Sequence, residues 1–347
     1  MNGFSSPYND QYSEGVDDIQ PRDQRHSSPF LASPLPHEYI CNSFSFKVSV
    51  NFLPASRTSI ILFLLSLQCA LHAQPPAPKC EVRAVWITTA ASLDWPRSLN
   101  TQEQQTSLRR MVSDLKAAHF NTIFFQARAR GDAYYKSDYE PWAENLTGIP
   151  GQDPGWDPLD FLLREAHAAG MEVHAWFNLY KVRGLNAARP SFPQHISLAH
   201  PEWTVFSDGE VWVDPGIPEV RSYLLRVAMD LTRNYNIDGI QFDFIRYPGR
   251  EFRDSKTFRR YGNGMDREDW RRSNIDLFVA EFYDSATALK PMLKVGSAPL
   301  GLYNGINKGG GGFYSYYQDS QGWLQKKKHD YLAPQLYWPL AHWGLEE

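Results

Sequence analysis

From residue 81 onward, short β-prone apolar runs alternate with stretches of helical period, and this alternation constrains the fold more than any other feature of the chain. Val82–Ile87 reads as a first strand. The stretch from Thr101 to Phe120 follows as a helix, with Leu108, Met111, Val112, Leu115 and Ala118 on one face. Asn121–Gln126 is the second strand. Asp157-Pro158 then supplies a cap and a first-turn proline, Gly170 ends that helix, and Glu172–Phe177 is the third strand. Pro218 opens a helix with Val220, Leu224, Val227 and Leu231 inward, ahead of a fourth strand over Ile240–Ile245. A helix from about Trp270 to Leu289 stops before Pro291. Leu293–Ser297 is the fifth strand, a glycine run at 309–312 precedes a short helix, and Leu332–Trp338 is the sixth strand. About six strand–helix units imply an α/β fold with a parallel sheet. A closed TIM (β/α)8 barrel needs eight, so the expectation is such a barrel, truncated after about six units. A doubly wound sheet is the alternative, but no Gly-rich phosphate loop follows the first strand.

In such a barrel the C-terminal strand ends carry the chemistry. Strand four, with the apolar Ile240, Phe242 and Phe244, has Asp243, Arg246 and Tyr247 crowding its C-terminal end. The other ends offer Asp94 and Trp95; Gln126, Arg128 and Asp132; Asn178 and Tyr180; Ser297; and Gln335, Tyr337 and Trp338. Polar and aromatic groups at every strand end suit a sugar pocket. Glycoside hydrolysis needs two carboxyl groups flanking the scissile bond. Asp243 is the first candidate, as nucleophile or base. Asp132 ranks first as its partner, ahead of Asp94 and of Glu268 and Asp269, which the reading leaves in a long loop after strand four. The structural alternatives are an ion pair of Asp243 with Arg128 or Arg246 that braces the barrel mouth, and a turn role for Asp132 after Gly131. Trp176 and His174, within strand three, read as core residues.

Composition narrows the classes. A net charge of -4 with no basic run gives no reason to expect nucleic acid. Eleven Trp and eighteen Tyr fit a glycan partner as well as they fit the core and rim of a large barrel. Cys41, Cys69 and Cys80 all precede the folded region, so no disulfide framework or CxxC metal signature is expected there. No His/Asp/Glu cluster has metal spacing and no GxSxG elbow occurs, which disfavours a metal site, a deacetylase or amidase, and a serine hydrolase. No cofactor is expected.

Residues 1–56 are polar and aperiodic and read as disordered or as a mis-assigned extension. Residues 57–73 read as a signal peptide built on the apolar run Ser59–Leu67, with cleavage after Ala73 and a linker over 74–80. No Met lies between Met1 and Met111, so the reading places the start of the signal internally, at Val48, Val50 or Leu53. Cys69 is an alternative lipid-attachment site, although Gln68 before it is a poor fit. Both routes lead to the periplasm, envelope or exterior.

Residues 81–345 also resemble a family of bacterial envelope proteins, glycosyl-hydrolase-like family 10, which is distinct from the xylanase family of that number. The resemblance lies in Glu81–Thr89, Asp94-Trp95-Pro96, Phe125–Arg128 with Gly131-Asp132-Ala133, Glu165-Ala166-His167 and His174–Asn178. It continues in His200–Trp203, Asp214–Val220, Asp243–Pro248 and Ala333–Trp338. The resemblance implies a TIM-barrel catalytic domain, export and glycosidase activity, with peptidoglycan strands stripped of stem peptides as the substrate class. The chain departs from the family in having Phe244 where some members carry a second Asp, in ending soon after strand six, and in lacking a signal peptide at its first residue.

Overall fold

The computed structural model describes residues 81–184, 189–305 and 310–337. The expected extension, signal peptide and linker (residues 1–80) and Trp338 lie outside the described residues. Strands β1 (Ala84–Ile87), β2 (Thr122–Arg128), β3 (Glu172–Asn178), β7 (Gly239–Asp243), β8 (Lys294–Ser297) and β9 (Tyr331–Leu332) form one sheet in the order β1-β2-β3-β7-β8-β9. Every pairing in it is parallel.

Several of the connecting helices begin where a side chain satisfies their first amides. Helix α1 (Thr101–Ala117) is capped by Asn100, whose side chain accepts from the Glu103 amide at 3.0 Å. Helix α2 (Pro158–Ala168) has Asp157 as its cap and Pro158 in its first turn, and Gly170 leaves it at φ 68°. Helix α3 (Pro218–Asn234) buries Val220, Leu224, Val227 and Leu231, as its period predicts. Helix α4 (Ser255–Tyr261) is followed by α5 (Arg267–Leu289), capped by Asp266, and by α6 (Ser320–Gln325). Glu268 and Asp269 therefore sit in the first turn of α5 and not in a loop; acidic side chains there suit the helix dipole, and both pair with Arg272. Among the described residues, no helix is long and apolar enough to cross a membrane.

One face of the sheet packs on the helices: Phe242 meets Phe278 and Phe282 of α5, with ring centroids 5.3 and 4.8 Å apart. The other face is concave. Trp86 of β1 donates to Gln241 of β7 at 2.8 Å, and His174 of β3 lies 2.8 Å from the Tyr331 hydroxyl of β9. Each pair is three strand spacings apart, about 14 Å in a flat sheet, so contact across the face requires the sheet to curl as a barrel wall does. The described sheet is thus a six-stranded segment of a (β/α) barrel. Two elements differ from expectation. Strand β7 stops at Asp243, because Phe244 turns to φ 49°, and β9 is two residues long, with Gln335 making only an isolated bridge to Leu300.

A second sheet follows β3. Its strands β4 (Lys181–Arg183), β5 (Thr204–Ser207) and β6 (Glu210–Val213) are antiparallel in the order β4-β6-β5. Asp208 and Gly209, at φ 49° and 71°, make the tight β5–β6 hairpin.

Candidate active site

Asp243 closes the fourth strand of the barrel segment. Asn178 of β3 is its register partner. Pleating sends Ile240 and Phe242 into the helix-covered core and Gln241 and Asp243 to the concave side. Asp243 is only 7% exposed. Its Oδ1 accepts from the Phe244 amide at 2.6 Å and from Gln335 Nε2 at 3.0 Å, while the same amide nitrogen reaches the Ala298 carbonyl at 3.2 Å. Burial raises the carboxyl above its ordinary range; Arg246, the Phe244 amide, Gln335 and Lys181 each oppose this by favouring the ionised form. The Arg246 guanidinium lies over the rings of Phe244 and Tyr316, at 5.3 and 5.1 Å. Lys181 Nζ also lies over the Phe244 ring, at 4.4 Å. Tyr337 is 76% exposed, and its hydroxyl is held protonated above the ordinary range by partial desolvation and by the Asp243 charge. Asp243, Arg246, Lys181, Gln335 and Tyr337 thus converge on one corner of the barrel mouth. A buried carboxyl poised upward, ringed by donors that stabilise its anion, is suited to proton exchange or to attack on a sugar carbon.

The chain matches the sequence profile described as glycosyl hydrolase-like 10 over residues 81–344. It belongs to that family. Glycosyl hydrolase YngK of Bacillus subtilis strain 168 is 32% identical over 80% of this chain and 58% of its own length. Glycosyl hydrolase DigH of Escherichia coli K12 is 31% identical over 83% and 76% respectively. The chain therefore spans little more than half the length of the first of these relatives. The glycoside hydrolase domain of PgaB (BpsB) from Bordetella bronchiseptica shares the fold with a TM-score of 0.50 at 15% identity, covering 73% of each chain.

The remaining residues expected at the site divide by burial. Arg128 is fully buried and is held by Glu140: Nε and Nη2 each donate to a carboxylate oxygen at 2.7 Å, and Nη1 donates to the Asn178 and Leu179 carbonyls. Burial opposes the charge on Arg128, but Glu140 outweighs it and holds the pKa above its ordinary value. Arg128 thus braces the β2–β3 mouth, and its partner is not Asp243. Gln126, 2% exposed, accepts from the Thr89 and Ala90 amides at 2.9 and 2.8 Å. Asn178 donates to the Ala129 carbonyl at 2.8 Å and has a buried Oδ1 with no hydrogen bond in the structure. Asp94 accepts from the Thr88 amide at 2.8 Å, which fixes the end of β1.

Trp95, Tyr180 and Tyr247 were expected to face a glycan, but none has exposed surface to offer a sugar ring. Trp95 bonds the Gln104 carbonyl of α1 at 3.1 Å, Tyr180 packs on Phe278, and Tyr247 lies beneath Arg271 with its hydroxyl on Asn274. Asp132 is half-buried and accepts from the Arg130 amide at 2.8 Å. Burial raises its pKa, while that amide and His195 oppose the rise.

Three charged groups near the site were absent from the expected set: Glu140, Lys181 and Glu210. Glu210 lies 2.9 Å from Lys181 and so reaches the Asp243 corner through that lysine. The Asp208-Gly209 hairpin signal would have revealed the strand that carries Glu210. Among the described residues, no three His, Cys, Asp or Glu side chains group as metal ligands.

Proposed function

We propose that the chain is an exported glycoside hydrolase that cleaves glycosidic bonds in bacterial cell-wall glycan, specifically peptidoglycan strands lacking stem peptides. In this reading Asp243 acts as nucleophile or base and Asp132 as its acid partner. The observation that carries it is Asp243 itself: a buried carboxyl at the end of the fourth barrel strand, surrounded by Arg246, Lys181, Gln335 and the Phe244 amide. Membership of a glycosyl-hydrolase-like family and two relatives named glycosyl hydrolase support the reaction class. The apolar run Ser59–Leu67 supports export. Release of new reducing ends, measured across peptide-free peptidoglycan glycan, peptide-bearing peptidoglycan and unrelated polysaccharides, tests the substrate class. Release from the peptide-free glycan alone is expected, and release only from unrelated polysaccharides would overturn it.

A catalytically silent glycan-binding protein on the same barrel is the second reading. It is favoured by the placement of Asp132, whose principal hydrogen-bonding and charged neighbours are Arg130, His195, Glu140 and Arg128. That reading predicts retention of glycan without bond cleavage.

A further inference from the structure

At the end of β4 lies a pocket of about 180 Å³, lined among others by Arg130, Asp132, Trp142, Arg183, Arg189 and His195. Its cations are Arg130, Arg183 and Arg189. Arg189 is committed to Glu144 and to the Gly148 carbonyl, whereas the Arg130 guanidinium forms no ion pair among the described residues. Arg130 lies across the backbone of Gly184, which also lines the pocket: a Cβ at Gly184 would stand 3.0 Å from Arg130 Nη1 and 3.5 Å from Oε2 of Glu210, whose other carboxylate oxygen pairs with Lys181 at 2.9 Å. His195 is held by partners within the fold. Its Nε2 faces the Arg130 and Val182 carbonyls at 2.7 and 3.1 Å and so carries the proton, while Nδ1 accepts from the Ser197 amide at 3.1 Å. Trp142, Pro141 and Pro150 supply an apolar wall. The pocket is tied to Asp243 through β4: Lys181, which faces Asp243, stands three residues before Gly184, about 10 Å along a strand. That distance is within reach of a neighbouring sugar on a glycan bound at Asp243.

A planar guanidinium beside an aromatic wall selects a carboxylate carried on a sugar. We propose that the Arg130 pocket binds the carboxylate of a carboxylated sugar and is the element that recognises peptide-free strands. This rests on cell-wall glycan being the substrate. On such strands the lactyl group of the muramic residue ends in a free carboxylate, and where a stem peptide is attached that carboxylate is an amide without charge. The pocket therefore reads the state of the strand through one charge.

The test is equilibrium binding, with the full chain carrying Asp243→Asn so that no bond is cut. The ligands are soluble peptide-free glycan oligomers with free lactyl carboxylates and the same oligomers converted to methylamides. The methylamide is expected to bind about ten- to a hundredfold more weakly, the worth of a charge-assisted hydrogen-bonded pair. Adding Arg130→Gln should weaken binding of the free acid by the same factor and abolish the preference, while Arg130→Lys should retain part of it. Equal affinity of the parent for the two oligomers, or a preference that survives Arg130→Gln, would overturn the proposal and leave the glycan reading standing. Binding of neither oligomer would overturn both. Should Arg130→Gln fail to fold, the comparison of the two oligomers on the parent still decides the matter.

Discussion

Replacing Glu140 with Ala should destabilise the domain far beyond the cost of an ordinary surface change. Glu140 and Arg128 have side chains with no solvent exposure, joined by two hydrogen bonds of 2.7 Å. The Tyr223 hydroxyl also reaches Glu140 Oε1, at 3.4 Å. Removing the carboxylate leaves the guanidinium charge in place, with Nε and Nη2 cut off from both solvent and acceptor. Stranding one partner of a buried pair costs about 3–5 kcal/mol, whereas an exposed pair is worth about 0–1 kcal/mol. Urea unfolding of the parent and of Glu140→Ala, analysed by linear extrapolation at matched slope, measures the difference. The double variant Arg128→Met/Glu140→Leu should recover most of the loss, because it removes both charges together. A loss under about 1 kcal/mol in the single variant, or a double variant no more stable than the single one, would refute the view that this pair is a desolvated brace of the barrel mouth.

Three further outcomes follow from the same contacts. Burial raises the Asp214 carboxyl to about 6, against the Thr257 hydroxyl and the Gly216 amide that oppose the rise. The folded state therefore holds the proton more tightly than the unfolded chain does, and the stability this contributes is complete below about pH 4 and lost as pH rises through 6. Asp214→Asn should match the parent at pH 4 and exceed it at pH 8 by at most about 3 kcal/mol in urea unfolding; a destabilised variant at pH 8 would contradict this. Arg246→Gln removes a charge that favours ionised Asp243, so the acid limb of the activity profile should move to higher pH, and a limb that stays put or moves down would count against ionised Asp243 as the active form. Gln126→Leu leaves the Thr89 and Ala90 amides without their acceptor and should cost about 1–3 kcal/mol for each buried donor. Faster amide exchange at those two positions checks it.

Strands β1, β2, β3, β7 and β8 were legible because each is a continuous apolar run ended by turn chemistry, α1 and α2 because cap and period agree, and α3 because its first-turn Pro218 and its period agree. The sixth strand read too long because Leu336 and Tyr337 look like strand residues, yet they are 62% and 76% exposed and only Tyr331 and Leu332 pair with β8. The β4–β6–β5 sheet went unread because strands of three and four residues are too short to display a period. Asp243 was visible as a carboxylate at a strand end, and Gln335 was in the expected set. Glu140 was not, since a pairing formed between residues twelve positions apart leaves no local pattern. Trp95, Tyr180 and Tyr247 show the opposite failure: an aromatic residue at a strand end reads as a sugar platform, and only packing reveals that its ring has no free face.

Asp243 is proposed to perform glycoside cleavage. Mass spectrometry of peptide-free peptidoglycan glycan after incubation with the chain, beside its Asp243→Asn variant, tests it most directly. New reducing-end fragments from the parent and none from the variant are predicted. Equal fragmentation by both would contradict the role of Asp243, and glycan retained intact by both would assign the barrel to binding.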